Sequence, residues 1–417
     1  MFLTKCLLIV FVFVGLVPAQ QEFFLKDGDT VVFYGDSITD QRLYTTFVET
    51  FAVTRYPRFH LKFVHSGWGG DRVSGGGGGT IDERVRRDVI AYNPSVMTIM
   101  LGMNDGSYRA FDDAIFAKYK AGFEHIIEAV RQALPALRIT VIQPSPYDDV
   151  TRAPMFEGGY NEVLVKYGDF LRELASKNNL SIADLNTPVV DALKRANAAD
   201  PKAAQQIIPD RIHPQAAGHL IMAEVLLKAW RATPIVTTVE IDSPGTQVRS
   251  AVGTAVSDLK ASGSRITWTQ KDERLPMPIN LDDAVMKLAV SSSRIIEDLD
   301  EQVLKVTGLG GSNYSLAING KSVGTFSREQ LAGGINLALL PTPMMAQAAA
   351  VHALTLKRAA VHNTRWRNLQ TPFEKETIPR VPTILDNLDA LDSDVAALQH
   401  SAAQPSTCFY ELAAAQK

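Results

Sequence analysis

The sequence predicts an α/β fold: a doubly wound parallel sheet over residues 28–232, then a β-rich region over 236–340 and a helical segment over 342–417. Three observations predict it. Up to about Trp230, short apolar runs alternate with stretches of helical periodicity, at the spacing of strand–helix–strand units whose sheet is covered on both faces. Several of these runs end in glycine, where a strand gives way sharply to a loop or helix. Past Pro234 the runs become short, alternating or β-branched, with turn residues between them.

In chain order, Val31-Val32-Phe33-Tyr34 is a buried-strand run ending at Gly35, and 38–56 has helical periodicity until Pro57 stops it. The run 61–64 leads into a glycine-rich loop, and 96–101 again ends in a glycine. Residues 116–134 read as a helix, 138–142 as a strand ending at Pro144, 160–178 as a helix, 180–185 as a strand and 216–230 as the closing helix. Beyond Pro234, 235–241, 265–270, 302–307 and 314–318 read as strands, separated by turn signals such as Ser243-Pro244-Gly245. Asn319-Gly320 ahead of 323–326 signals a hairpin, because that pair accepts positive φ at both turn positions. A long helix over 344–368 follows Pro341-Thr342-Pro343, and a further amphipathic one spans 381–400. These two helices are candidates for a homodimer contact.

With 46% hydrophobic and 21% charged residues, the 417-residue chain is globular in composition and long enough for two or three folding units. Its formal net charge of −3 gives no electrostatic argument for a nucleic-acid or acidic-membrane partner. Lys5, the apolar run 6–17 and Val17-Pro18-Ala19 before Gln20 have the layout of a cleavable signal peptide, 1–19, whose apolar run is too short to span a bilayer comfortably. A secreted or periplasmic location is therefore expected. Cleavage would leave Cys408 as the only cysteine, so neither an intramolecular disulfide nor a cysteine-based metal cluster is expected.

Four short stretches carry candidate chemistry: Gly35-Asp36-Ser37, Gly67-Trp68-Gly69-Gly70, Gly102-Met103-Asn104-Asp105 and Asp210-Arg211-Ile212-His213. Alone, each has a bland reading as a helix cap, a turn or a helix-entry loop. Together they fall where a doubly wound sheet places ligands, since Ser37, Gly70 and Asn104 each follow a strand run and should converge beyond one sheet edge. Serine needs a base to act as a nucleophile at neutral pH. His213 can supply it, and Asp210, three residues earlier, can hold Nδ1 protonated and leave Nε2 free. The Ser37 and Gly70 N–H groups and the Asn104 amide are the oxyanion donors, each typically worth about 3 kcal/mol in the transition state. Trp68, Tyr108 and Tyr147 follow strand ends and are candidate substrate contacts. The run 75–79 lacks the Lys and Ser/Thr of a nucleotide loop and reads as a mobile loop beside the site. Asp112-Asp113 and Asp148-Asp149 read as solvated loop charges, and no cofactor or metal is expected.

Tyr34-Gly35-Asp36-Ser37-Ile38-Thr39-Asp40, the block ending Gly69-Gly70-Asp71-Arg72, Leu101-Gly102-Met103-Asn104-Asp105 and Asp210-Arg211-Ile212-His213-Pro214 resemble the four blocks of the SGNH hydrolases, or GDSL-like lipases/acylhydrolases. The second block often begins with Asn, where this chain has His65. The resemblance covers about residues 28–232 and implies a flavodoxin-like sheet, Ser37 as nucleophile, Gly70 and Asn104 as oxyanion donors, and Asp210 with His213 completing a triad. The activity expected is that of a secreted serine esterase acting through an acyl-enzyme on small esters, with carbohydrate O-acetyl groups as the preferred substrate. The alternatives are a lipase, lysophospholipase or thioesterase of the same family, and a carbohydrate- or partner-binding protein acting through the C-terminal domain.

Overall fold

The computed structural model describes residues 22–415; the expected signal peptide lies outside them. Strands β1 (Thr30–Gly35), β2 (Lys62–Gly67), β3 (Val96–Met100), β4 (Arg138–Ile142) and β5 (Ser181–Ala183) form one sheet in the order β2-β1-β3-β4-β5. Every pairing in it is parallel. This is the flavodoxin-like order, in which the chain reverses direction between β1 and β3 and opens a crevice beyond their carboxyl ends. Val31 to Tyr34 of β1 are fully buried, as a central strand covered on both faces requires.

Eight helices follow those strands: α1 (Ser37–Asp40), α2 (Leu43–Arg55), α3 (Ile81–Asp88), α4 (Asp113–Ala133), α5 (Gly159–Asn178), α6 (Thr187–Ala199), α7 (Pro201–Ala204) and α8 (Ala216–Ala229). The single helix expected over 38–56 is two, broken where Arg42 takes φ +58°. Helices α3 and α6 were not foreseen. The inner face of α3 is made of Arg84, Arg87 and Asp88 as well as Val85, so charged residues mask its apolar periodicity.

The second region holds β6 (Ile235–Asp242), β7 (Gln247–Val252), β8 (Thr254–Ser262), β9 (Arg265–Asp272), β10 (Glu301–Thr307), β11 (Asn313–Ile318), β12 (Lys321–Ser327), β13 (Ile335–Asn336) and β14 (Thr407–Ala414). They build two sheets, β8-β9-β14-β11-β12 and β13-β10-β6-β7. The Asn319-Gly320 hairpin forms, with φ +51° and +73° and Ile318 opposite Lys321.

The segment 342–417 is not helical throughout. After α9 (Pro343–Asn363), a π-helical turn over Thr364–Gln370 and α10 (Val381–Ala402), the chain returns as β14 between β9 and β11. Cys408, Tyr410 and Leu412 of β14 point inward, an alternation that its short side-chain mix of Ala, Glu and Thr conceals.

Helix α2 receives both later parts of the chain. Arg358 of α9 donates to Glu49 at 2.9 Å, Gln399 of α10 donates to the same oxygen at 2.9 Å, and His65 Nε2 lies 3.2 Å from the other. Burial would raise the Glu49 carboxyl, but Arg358 and His65 more than offset it and hold it below its usual range. At the other end of α2, Arg55 donates to the carbonyls of Thr233 and Leu299 and lies 3.4 Å from Asp300. Among the described residues no helix is long and apolar enough to cross a membrane.

Candidate active site

Ser37 opens α1 directly after β1. Asp36 caps that turn, its Oδ1 accepting from the Ile38 N–H at 3.0 Å. With only four residues in α1, individual N–H groups rather than a macrodipole face the crevice. Glycine at 67 permits the close approach of β2 to α1, since a Cβ there would stand 2.1 Å from the Asp40 nitrogen.

The loop before α8 brings the other two residues in. Asp210 Oδ1 accepts from the N–H groups of Ile212 (2.9 Å) and His213 (2.7 Å), and Oδ2 lies 2.6 Å from His213 Nδ1. His213 Nε2 is 2.9 Å from Ser37 Oγ. Partial burial would raise the Asp210 carboxyl, but the N–H and imidazole bonds hold it below its usual value, so it is an anion facing Nδ1–H. Arg211, between them, takes φ +72°, a conformation that costs a non-glycine residue free energy and clusters at functional sites.

A chain of hydrogen bonds not foreseen from sequence supports this loop. Burial depresses His219 to about 3, so its ring is neutral. Its Nδ1 accepts from the Tyr44 N–H, leaving Nε2–H to donate to Gln41 Oε1 at 3.0 Å. Gln41 is thereby oriented to donate through Nε2 to the Pro214 carbonyl at 3.2 Å, next to His213. Gln41 sits in the break between α1 and α2; a lone Gln and a lone His gave no sequence signal.

The loops after β2 and β3 are tied to α1 in series. The Gly69 N–H donates to Asp40 Oδ2 (3.2 Å), and Asn104 Nδ2 donates to the Asp71 carbonyl (3.0 Å). Tyr108 donates to Asn104 Oδ1 at 2.8 Å, which fixes the nitrogen side of the amide away from the phenol and leaves its second N–H for a ligand. Burial, with the negative field of Asp36 next, raises the Tyr108 phenol to about 12, and Asp210 contributes to that field. Gly70 has φ +77°, and no protein atom lies within 4 Å of where its Cβ would be. Its backbone conformation requires glycine, and the space it faces is open.

Three further expectations are corrected. Trp68 is buried, lying beneath the Arg367 guanidinium and edge-on to Trp366, so it packs the loop from behind and does not face a substrate. The run 75–79 is a packed hairpin: Gly75 and Gly76 pair with Thr80 and Gly79, Arg87 holds the Gly78 carbonyl at 2.9 Å, and a Cβ on Gly78 would fall 2.5 Å from the Trp68 ring. Asp148 is buried and holds Arg152 at 2.9 Å, while Asp112 caps α4. Tyr147 is buried edge-on to Tyr160, and only Tyr108 of the three aromatics is part-exposed. His65 lies in the α2 network described above, and its Nδ1 meets Thr45 at 2.8 Å.

A shallow groove of about 330 Å³ opens at Ser37, lined by Asp40, Gln41, Arg42, Asn363 and Arg367. The last two come from the far end of the sequence. A larger cavity of about 610 Å³, between β2 and the C-terminal helices, contains no member of the Ser37–His213–Asp210 set.

A doubly wound sheet with a serine, histidine and aspartate in hydrogen-bonding sequence beyond its carboxyl edge has the construction of an ester hydrolase. Residues 33–221 match the GDSL-like lipase/acylhydrolase family, the SGNH hydrolases, and this domain is an ester hydrolase. It is similar to an acetylxylan esterase of Geobacillus stearothermophilus, with 25% identity over 224 residues, 49% of this chain and 94% of the relative. Among solved structures it resembles a gut microbial diltiazem-metabolizing enzyme, with a TM-score of 0.83 and 25% identity over 95% of this chain and all of the other. The second region and the C-terminal helices are thus part of a shared architecture.

Proposed function

We propose that this chain is a secreted serine esterase that hydrolyses small carboxylic esters, preferentially O-acetyl groups on carbohydrate, through a covalent acyl-enzyme. The observation that carries the proposal is the relay from Ser37 Oγ to His213 Nε2 (2.9 Å) and from His213 Nδ1 to Asp210 (2.6 Å). Ser37 Oγ attacks the acyl carbon as its proton passes to Nε2. The oxyanion so formed faces the N–H groups of Ser37 and Gly70 and the Asn104 amide. Collapse expels the alcohol, which takes the proton from His213. Water then attacks the acyl-serine by the same route, releasing the acid and restoring Ser37. The acetyl preference rests on the shallow, polar groove at Ser37 and on the acetylxylan esterase relative. The apolar segment 6–17 supports export.

A fluorophosphonate probe should label the full chain, and Ser37→Ala should abolish labelling and lower kcat by about 10⁴-fold or more on acetylated xylo-oligosaccharides. Rates should fall from acetyl to octanoyl esters. A rise with chain length would transfer the assignment to a lipase or thioesterase, and absence of both labelling and ester hydrolysis would refute the esterase reading.

A further inference from the structure

The groove at Ser37 has an unbalanced charge. It presents two guanidinium groups, Arg42 and Arg367, against one carboxylate, Asp40. Asp40 is already engaged: Oδ2 accepts from Gly69, and Oδ1 lies 3.6 Å from Arg42. Arg42 is anchored too, donating at 2.7 Å to Asn363, 321 positions away in sequence.

Arg367 differs from the paired arginines near it. Arg84 pairs with Asp71 and Asp88, Arg87 with Asp88 and Glu374, Arg358 with Glu49 and Asp392, and Arg365 with Asp389. Among the described residues Arg367 makes no ion pair within 4 Å, and its Nη1 is shielded from solvent without a hydrogen-bond partner. Burial holds its guanidinium below the usual value, with Asp40 opposing, as expected of a cation lacking a close counter-charge. Its position is nonetheless built. The π-helical turn over Thr364–Gln370 carries it, Trp366 anchors that turn by donating to Asp88 at 2.6 Å, and the Trp68 ring supports the guanidinium plane. A guanidinium stacked on an aromatic face presents its N–H edge to a planar oxyanion. π-Helical turns of this kind recur at functional sites.

We propose that Arg367, assisted by Arg42, is a specificity-determining residue that binds a carboxylate on the alcohol part of the ester, so that the preferred substrates are O-acetylated acidic sugars of the uronate type. This rests on the acetylesterase reading: an acetyl group carries no charge, so the anion must belong to the alcohol. The C-terminal segment then supplies part of the substrate site.

The test compares two substrates that differ only in charge, a methyl O-acetyl-glucuronide and the methyl O-acetyl-glucoside acetylated at the same position, with the full chain. The ratio of their kcat/KM values is read within each protein, so any general loss of activity cancels. Wild type should favour the glucuronide by about 10- to 100-fold, the range of a charged hydrogen bond. The ratio should fall towards one in Arg367→Gln, should drop in Arg42→Gln, and should shrink as salt is raised. Equal kcat/KM values in wild type, or a preference that survives in both variants, would overturn the subsite while leaving the esterase intact. Failure of wild type on both sugars and on 4-nitrophenyl acetate would instead overturn the esterase reading and this proposal with it.

Discussion

Asn104 shows how much of a site depends on the neighbours of its residues. Its amide is held at both ends, by the Asp71 carbonyl and the Tyr108 hydroxyl, so the N–H that a substrate oxyanion would use is fixed before binding. Asn104→Ala should lower kcat on an acetyl ester by about 10²–10³-fold. Tyr108→Phe leaves the amide in place without its anchor and should lower kcat by about 10-fold with KM nearly unchanged, both read by steady-state kinetics. The buried carboxylates nearby govern stability. Burial pushes Asp36 and Asp105 up to about 7, well above the value of about 4 for an unfolded Asp. A folded-state value above the unfolded one gives stability that is fully present below about pH 4 and is lost as pH rises through about 7. The Tm should therefore fall between pH 5 and pH 8, and Asp105→Asn, which keeps an acceptor for the Val73 N–H, should flatten that decline.

The elements show where periodicity serves and where it fails. β1 and β3 are continuous apolar runs because a parallel strand is buried on both faces, and the sequence shows them plainly. β7 and β8 are mostly exposed and have no inward face to mark them. α3 was hidden because arginines and an aspartate occupy its inner face, and the break between α1 and α2 because Gln41-Arg42 interrupts no apolar run. The glycine run 75–79 looked loose by composition, yet glycine there serves close packing against Trp68. Gly78→Ala should cost about 1–3 kcal/mol, the range for overpacking, measured as a lower denaturant midpoint with an unchanged m-value.

Across the whole molecule, helix α2 connects three parts of the chain. Glu49 binds the C-terminal helices and Arg55 binds the segment around Asp300, while α2 itself packs against α8 of the first domain. β14 then closes the second region from the far end of the sequence, with Tyr410 stacked on Trp268 in the core. Deleting residues 405–417 would leave β9 and β11 with unpaired facing edges and remove that stack. The truncated chain should lose the fold of the second region, visible as a large loss of β signal in circular dichroism and rapid proteolysis after about residue 234.

The sequence by itself determined the parallel sheet of the first domain, the hairpin at Asn319-Gly320 and the candidate residues Ser37, Gly70, Asn104, Asp210 and His213. These are written in local patterns: apolar runs, turn pairs, and short motifs at strand ends. Only the tertiary structure decided that Gln41 and His219 brace the histidine loop, that Trp68 supports the site from behind, and that Asn363 and Arg367 line its groove. An arginine on a helical face has the same local signature whether it meets water, a carboxylate or a ligand. Which of these it meets is set by packing between segments more than 300 residues apart, as in the bond from Arg42 to Asn363.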